Sequence, residues 1–491
     1  MAINPTQTHH SILFAAVAVL AAAFLVHRIR IYARLRNVPG PFLASMTDLW
    51  MVSKVWRGGH YHEIVYELHQ KYGQVVRFGP NRVSFADPET IHQIYGTHPV
   101  FPKAPSYEPM KILAGGKEIM SLVTVRDEKK VTGVKRHVSA GFSQSTWLKQ
   151  EDQIDDTLDL FMTQLRAHAN QPISLSTWLT FWSFDTLTTL AFSESRGYLT
   201  AGRDLDNMFP SGHQRLIHWR AWAHWPTLEA LIYKNWFTTR IQKATGPLAQ
   251  LAMQRIQQRQ KEGKEAGGRD LLARYLAASQ AAPEVVSMGE VLGLTVSTIH
   301  AGSETMATTT SAVLAYLLWN PETMARLEEE ILGAGLEFPP QHADVEHLEY
   351  LDSAIRETMR LNTSPNVAER TITSPGADIG GVYLPGGTDV SISEKCTTHD
   401  SNVYGANPDN FRPERWMNID KMKWAEMDRV SFGFGFGRRE CIGKHLARME
   451  MKKVLAALIA EFKIVPAPAD MKIGTDFEYV TLNVKLEPRN G

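Results

Sequence analysis

The chain has 491 residues, 44% of them hydrophobic, enough to bury a large core. Its 52 basic and 52 acidic side chains cancel to a formal net charge of zero, which excludes a global electrostatic pull toward nucleic acid. Two cysteines, Cys396 and Cys441, exclude a disulfide framework and place the bulk of the chain in a reducing compartment.

The N-terminus opens on Ser11–Val26, "SILFAAVAVLAAAFLV", which carries no charge. Alone it falls slightly short of the ~20 residues that span hydrocarbon. Continuing to Ile31 crosses only His27, Arg28 and Arg30, whose long stems reach back to the interface. Arg34 and Arg36 follow, and no Lys, Arg, Asp or Glu precedes the run, so the positive-inside rule puts the following chain in the cytoplasm. A cleaved secretory signal is the competing reading, but it expects charge before the run and an A-x-A site after it. Pro39 and Pro41 of "NVPGPF" stop the helix. The pattern predicts a membrane anchor over residues 1–36 and a cytoplasmic body over 37–491.

In the body, "VVRFGPNRVSFA" (75–86) reads as two strands around a Gly-Pro-Asn turn. Asp87 then caps a helix with Pro88 in its first position. The pattern from Glu151 to Ala278 is mostly helical. Within it, residues 216–237 are dense in tryptophan, either as ordinary core or as a membrane-facing lip that handles apolar substrates. Residues 288–319 form one long helix, weakened at its centre by Gly302 and a cluster of hydroxyls; the glycine costs about 1 kcal/mol against alanine. "HLEYLDSAIRETMRL" is a helix with a polar stripe, "GADIGGVYLPGGTDVSIS" holds short strands, and a last long helix starts near Cys441. The fold class expected is mainly α with a small β region.

"FGFGRRECIG" (434–443) concentrates the chemistry. Gly435, Gly437 and Gly443 permit a tight loop and the close approach of a flat partner. A thiolate at Cys441 would gain from a helix N-terminus and from Arg438 and Arg439. The glycine spacing fits neither G-x-G-x-x-G nor a phosphate-binding loop. A catalytic thiol needs a histidine base, and His445 lies four residues on. Zinc would need further ligands at the right spacing. A single axial thiolate to haem iron is the remaining chemistry.

Phe434-x-x-Gly437-x-Arg439-x-Cys441-x-Gly443 resembles the haem-binding signature of cytochrome P-450 monooxygenases at every fixed position. Three further matches fall in the family's order. Glu357-Thr358-Met359-Arg360 resembles the E-x-x-R of its K helix, and "FRPERW" (411–416) resembles the motif that contributes Arg415. Ala301-Gly302-Ser303-Glu304-Thr305 resembles the A-G-x-[DE]-T of its I helix. The resemblance covers essentially the whole chain, anchor included. It implies the cytochrome P-450 fold behind one transmembrane helix, and heme b held by a Cys441–iron bond that favours O–O cleavage. By the same resemblance Phe434 shields the sulfur, Arg439 and Arg370 pair with haem propionates, and Glu357, Arg360 and Arg415 form a buried structural cluster. Thr305 would hydrogen-bond dioxygen and a water, Glu304 would relay protons, and Ala301-Gly302 would leave room for oxygen. The family's C-helix Trp-x-x-x-Arg is replaced by Val131 and Lys135, so the propionate contact passes to Lys135 or shifts to Arg136.

The resemblance therefore implies a monooxygenase inserting one oxygen atom from dioxygen into an apolar small molecule at the endoplasmic reticulum membrane. The anchor is single-pass and the catalytic domain cytoplasmic. Electrons would come from an NADPH-dependent diflavin reductase, since the chain has no flavin or nicotinamide motif. Arg438, Lys444, Arg448, Lys452 and Lys453 are either its docking face or a solvated helix face. "VPGPF", "YGQVVRFGPNRVSFADPETIHQIYG" and "HDSNVYGANPDNFRPERW" are similar to fungal enzymes of the pisatin-demethylase-like group, which oxidises terpenoids, polyketides, alkaloids or phenolics of secondary metabolism. The alternative is a haem-thiolate isomerase or dehydratase that needs neither dioxygen nor a reductase; a non-enzymatic haem sensor is more remote, having no use for Glu304-Thr305.

Overall fold

The computed structural model describes residues 5–114, 116–241, 246–263, 268–362, 368–472 and 480–489. Helices dominate, and the described strands form four small sheets. The largest sheet starts from the antiparallel pair Val75–Gly79 and Arg82–Phe85. Asp389–Ile392 lies parallel to the second of these, and Arg370–Thr371 closes the far edge. That edge brings Arg370 beside the segment at Lys103, with which it forms an isolated bridge.

The long helix spans Met288–Trp319, as its pattern predicts, and starts on a capping box between Ser287 and Glu290. Its mid-helix hydroxyls bond back to the preceding turn: Thr295 to Val291 O at 2.8 Å, Ser303 to Ile299 O at 2.6 Å and Thr305 to Ala301 O at 2.6 Å. Gly302 has a packing reason. A Cβ there would lie 2.9 Å from Leu187 Cδ1 on the helix Leu175–Phe192, so glycine allows the two helices to cross closely. This packing stands beside the role in leaving room for oxygen that the resemblance implies for Ala301-Gly302.

The N-terminal helix runs Pro5–Arg34, and its Phe14–Arg34 segment, with mean hydropathy 1.9, has no buried side chain among those described. Its lower end is bonded to the body. Arg77 is buried and donates to five carbonyls: Tyr32 at 2.9 Å, Ile31 at 3.1 Å, Gly79 at 3.2 Å, Pro80 at 2.6 Å and Ser45 at 3.4 Å. Burial without a carboxylate partner lowers the pKa of Arg77 to about 10. Arg34 reaches Gly386 O at 2.7 Å, and Leu35 and Val38 are buried.

The tryptophan-rich stretch divides between its two readings. Trp219 is core and donates to Ser106 O at 2.7 Å. Leu231, Trp236, Phe237 and Ile241 are each more than 60% exposed and form an apolar surface.

Candidate active site

The cysteine loop is shaped by two left-handed glycines, Gly435 (φ +68) and Gly437 (φ +59). At Gly437 a Cβ would also fall 2.2 Å from Tyr95 O, so both conformation and space demand glycine. The loop closes when Cys441 N donates to Phe434 O at 2.8 Å. The last long helix begins at Lys444 with Gly443 as its cap, so Cys441 precedes it rather than opening it. Cys441 is exposed, yet protein surrounds it closely enough that burial pushes its thiol pKa up, against a hydrogen bond from Gly443 and the charge of Lys135. A sulfur that is accessible although protein surrounds it is what a loop facing a bound group requires. Phe434 is half-buried beside it, with the Arg448 guanidinium 5.4 Å from its ring centre.

Under the loop lies a closed charge cluster. Glu357 accepts from Arg360 Nε at 2.9 Å and Nη2 at 2.7 Å, from Arg415 Nε at 3.2 Å, from Trp416 Nε1 at 2.9 Å and from Arg412 N at 3.1 Å. The remaining guanidinium donors end on carbonyls: Arg360 on Thr398, and Arg415 on Tyr404, Asn407 and Asn410. Burial alone would raise the Glu357 carboxyl; the Arg360 hydrogen bonds and the charges of Arg360 and Arg415 outweigh it and hold the pKa below its usual value. Met359, between the two charges, packs on Gly433 at the base of the cysteine loop, where a Cβ would meet Met359 Cε at 2.6 Å. The cluster thus positions the loop through a side chain that the motif leaves unspecified.

Four cations gather on one side of the loop. Arg439 bonds Glu128 at 2.6 Å and the carbonyls of Leu122 and Val125 at 3.0 and 2.8 Å. Lys135 donates to Arg438 O at 2.8 Å and Glu440 O at 3.2 Å, while Arg136 is exposed. Arg370 is buried, with its guanidinium 5.0 Å from the Tyr95 ring centre. The pattern of residues pointed to these three but not to Lys103. It is buried, lies 4.1 Å over the Tyr107 ring and donates to Val123 O at 2.7 Å. Burial first, then the charges of Arg370 and Arg439, hold its pKa well below the usual lysine value. Glu128 is the carboxylate that opposes Lys103 in this group. The four basic groups outnumber Glu128 and Glu440, the carboxylates that oppose Lys103 and Lys135, which fits a ligand that brings carboxylates of its own, as haem does. No sequence signal marked Lys103, because its neighbours arrive from segments that are remote in the chain.

The long helix presents two adjacent stripes. Ala301 and Thr305, one turn apart, are exposed in the middle of a helix that is otherwise largely buried. They face accessible space inside the fold, as Cys441 does. His300 and Glu304 form the neighbouring stripe, with side chains 8% and 10% exposed.

The expected basic docking face loses two members. Lys453 is buried on Glu151 and on Asp155 at 2.6 Å, and Lys452 is buried on Asp352 at 3.1 Å. Lys444 pairs with Glu440 at 2.7 Å, and Arg438 is exposed. Arg448 and His445 instead line a surface cleft of about 680 Å³ that also includes Arg356 and Trp424. Cys441 is not part of this cleft.

The cytochrome P450 family profile matches residues 39–487. A cytochrome P450 monooxygenase of Aspergillus terreus is 30% identical over 472 residues, covering 91% of this chain and 94% of the relative. The cytochrome P450 monooxygenase pkfB of Emericella nidulans is 32% identical, covering 91% and 89%. The cytochrome P450 monooxygenase asR2 of Sarocladium schorii is 32% identical, covering 93% of each.

Proposed function

The chain belongs to the cytochrome P450 family, and from that premise we propose the roles of its residues, its substrate class, its electron donor and its membrane. It is a haem-thiolate monooxygenase. One atom of dioxygen enters the substrate and the other leaves as water, with two electrons and two protons consumed. Bound haem supplies the iron chemistry that activates dioxygen.

Cys441 would hold the haem iron through its thiolate, with Phe434 screening the sulfur. Gly437 and Gly443 keep side-chain bulk away from the loop. Arg439, Lys135, Arg370 and Lys103 would hold the carboxylates of the group. Glu357, Arg360 and Arg415 act on structure alone and keep the loop in place. Thr305 has its hydroxyl proton committed to Ala301 O, which leaves its lone pairs to accept from a water in the cavity. Glu304, about 100° round the helix, relays protons from solvent to this water.

The substrate is a largely apolar organic molecule of a fungal-type secondary-metabolite pathway. Electrons come from a separate NADPH-dependent diflavin reductase, docked where Arg438, Lys444 and Arg448 surround the loop. The anchor holds the body to the cytoplasmic face of the endoplasmic reticulum through a single span, and residues 37–491 carry the catalysis.

The observation that carries this reading is the accessible Cys441 in its glycine loop, with Ala301 and Thr305 accessible inside the same fold. The test is turnover of a pathway intermediate with reductase and NADPH under isotopically heavy dioxygen. One heavy oxygen is expected in the product. Product formed without NADPH or dioxygen would overturn the reading in favour of the isomerase or dehydratase.

A further inference from the structure

Beside the accessible stripe of the long helix lies a polar group whose hydrogen bonds do not close. The helix Met208–Trp222 meets the long helix at Gly212, where a Cβ would fall 1.9 Å from Glu304 Oε1 and 2.9 Å from His300 Cε1. Glycine here lets the two helices come together over the His300–Glu304 stripe. Arg215, three residues on, extends from the same face of its helix. Its pKa is lowered by burial, and Glu304 is the charge that opposes the shift. No described contact bonds the Arg215 guanidinium directly to Glu304, so the attraction acts across a gap. His300 Nδ1 lies 3.7 Å from Glu304 Oε1, too far for a good hydrogen bond. Burial first and Arg215 second lower the His300 pKa, so its ring is neutral.

Arg215 Nε, Glu304 Oε1 and His300 Nδ1 are all buried without a hydrogen-bond partner. Orphaned buried polar atoms are uncommon, and three in one cluster beside the exposed Ala301–Thr305 stripe point to a group that arrives from outside. Its chemistry follows from the atoms it must satisfy. Arg215 Nε–H needs an acceptor and Glu304 Oε1 needs a donor. A carboxylate would answer the arginine but be repelled by Glu304. An ammonium would answer Glu304 but be repelled by Arg215. A hydrocarbon would leave all three atoms unpaired at the full cost of their desolvation. A hydroxyl accepts from one and donates to the other, and brings no charge.

We propose that Arg215, His300 and Glu304 form a polar subsite that binds a hydroxyl group, alcohol or phenol, on an otherwise apolar substrate. This rests on the monooxygenase reading and narrows its substrate class. It also places the reaction after a step that installs a hydroxyl, such as a carbonyl reduction, an earlier hydroxylation or the closure of a phenolic ring.

The test uses the full-length holoprotein and matched pairs of probes: 4-cyclohexylphenol with cyclohexylbenzene, farnesol with its deoxy hydrocarbon, and a steroid alcohol with its parent hydrocarbon. Affinity is read from the Soret shift on binding. In at least one pair the hydroxylated member is expected to bind at least about tenfold tighter. Arg215→Leu should collapse that ratio toward one while the carbon-monoxide band persists as the sign of a folded haem site. Gly212→Ala, which drives a methyl into Glu304 Oε1, should lower the ratio without touching Arg215. The proposal is overturned if no pair shows the preference. It is also overturned if the preference survives both variants, which would mean that the cluster holds only water. A wild-type protein lacking the thiolate carbon-monoxide band would instead overturn the assignment of Cys441, a failure distinguishable from either of these.

Discussion

Two of the buried clusters of carboxylate and guanidinium in this molecule differ in one respect. Around Glu357, both carboxylate oxygens are filled, and the guanidinium donors of Arg360 and Arg415 end on Glu357 or on backbone carbonyls. Around Glu304, a donor, an acceptor and a ring nitrogen are left open. A fully satisfied network in a low-dielectric interior rigidifies its surroundings; a partly satisfied one is costly unless something completes it. The first cluster therefore belongs to the architecture of the cysteine loop. The second belongs to molecules that come and go.

Substitutions can break this contrast in order of effect. The most severe is at the loop that the closed cluster supports. Cys441→His should abolish oxygenation and move the reduced carbon-monoxide band away from ~450 nm, where a thiolate ligand places it. An unchanged spectrum in that variant would remove Cys441 from its role. Next comes the closed cluster itself. Arg415→Leu leaves Glu357 short of a partner in the interior, which should cost ~3–5 kcal/mol in denaturant unfolding and carry haem loss with it. If its stability matched the wild type, the cluster would not be what holds the loop.

The open cluster should respond in rate rather than in stability. Glu304→Ala is expected to slow turnover by ~10²–10⁴-fold with haem content intact, because proton supply becomes limiting. Thr305→Ala should keep electron flow but release more hydrogen peroxide per NADPH consumed. Peroxide yield and stopped-flow turnover separate the two. Fully coupled activity in both variants would withdraw oxygen activation from the pair and favour the isomerase. Loss of fold in Glu304→Ala would erase the distinction between the clusters.

The smallest effect sharpens the same comparison at the anchor. Arg77 is another buried guanidinium, closed entirely by carbonyls, two of them from Ile31 and Tyr32 at the end of the N-terminal helix. Removing residues 1–26 keeps those carbonyls and should release the body from membranes, at least in part, with unchanged thermal stability. Removing residues 1–36 takes both away and should cost ~1–3 kcal/mol. Partial release fits the exposed Trp236 and Phe237, which offer a second contact with the interface. Equal stability of the two truncations would show that solvent replaces the lost carbonyls without penalty.

What the sequence determined by itself are features that depend on local constraint. The long helix is legible in its pattern over 288–319, the first hairpin in its Gly-Pro-Asn turn, and the cysteine loop in glycines whose positive φ few other residues accept. The Glu357–Arg360 pair follows from a spacing of three on one helix. The tertiary structure decided how charges are partnered across the chain. Arg439 meets Glu128, 311 residues away, and Lys452 and Lys453 leave the expected docking face because their helix turns them onto Asp352, Glu151 and Asp155. Lys103 joins Arg370 only through the sheet edge, and Arg215 comes near Glu304, without bonding it, only because Gly212 lets two helices close. A side chain's charge and reach are written in its residue type. Whether that charge is spent on protein, on solvent or on a ligand depends on which distant segment packs against it, and no local period encodes that.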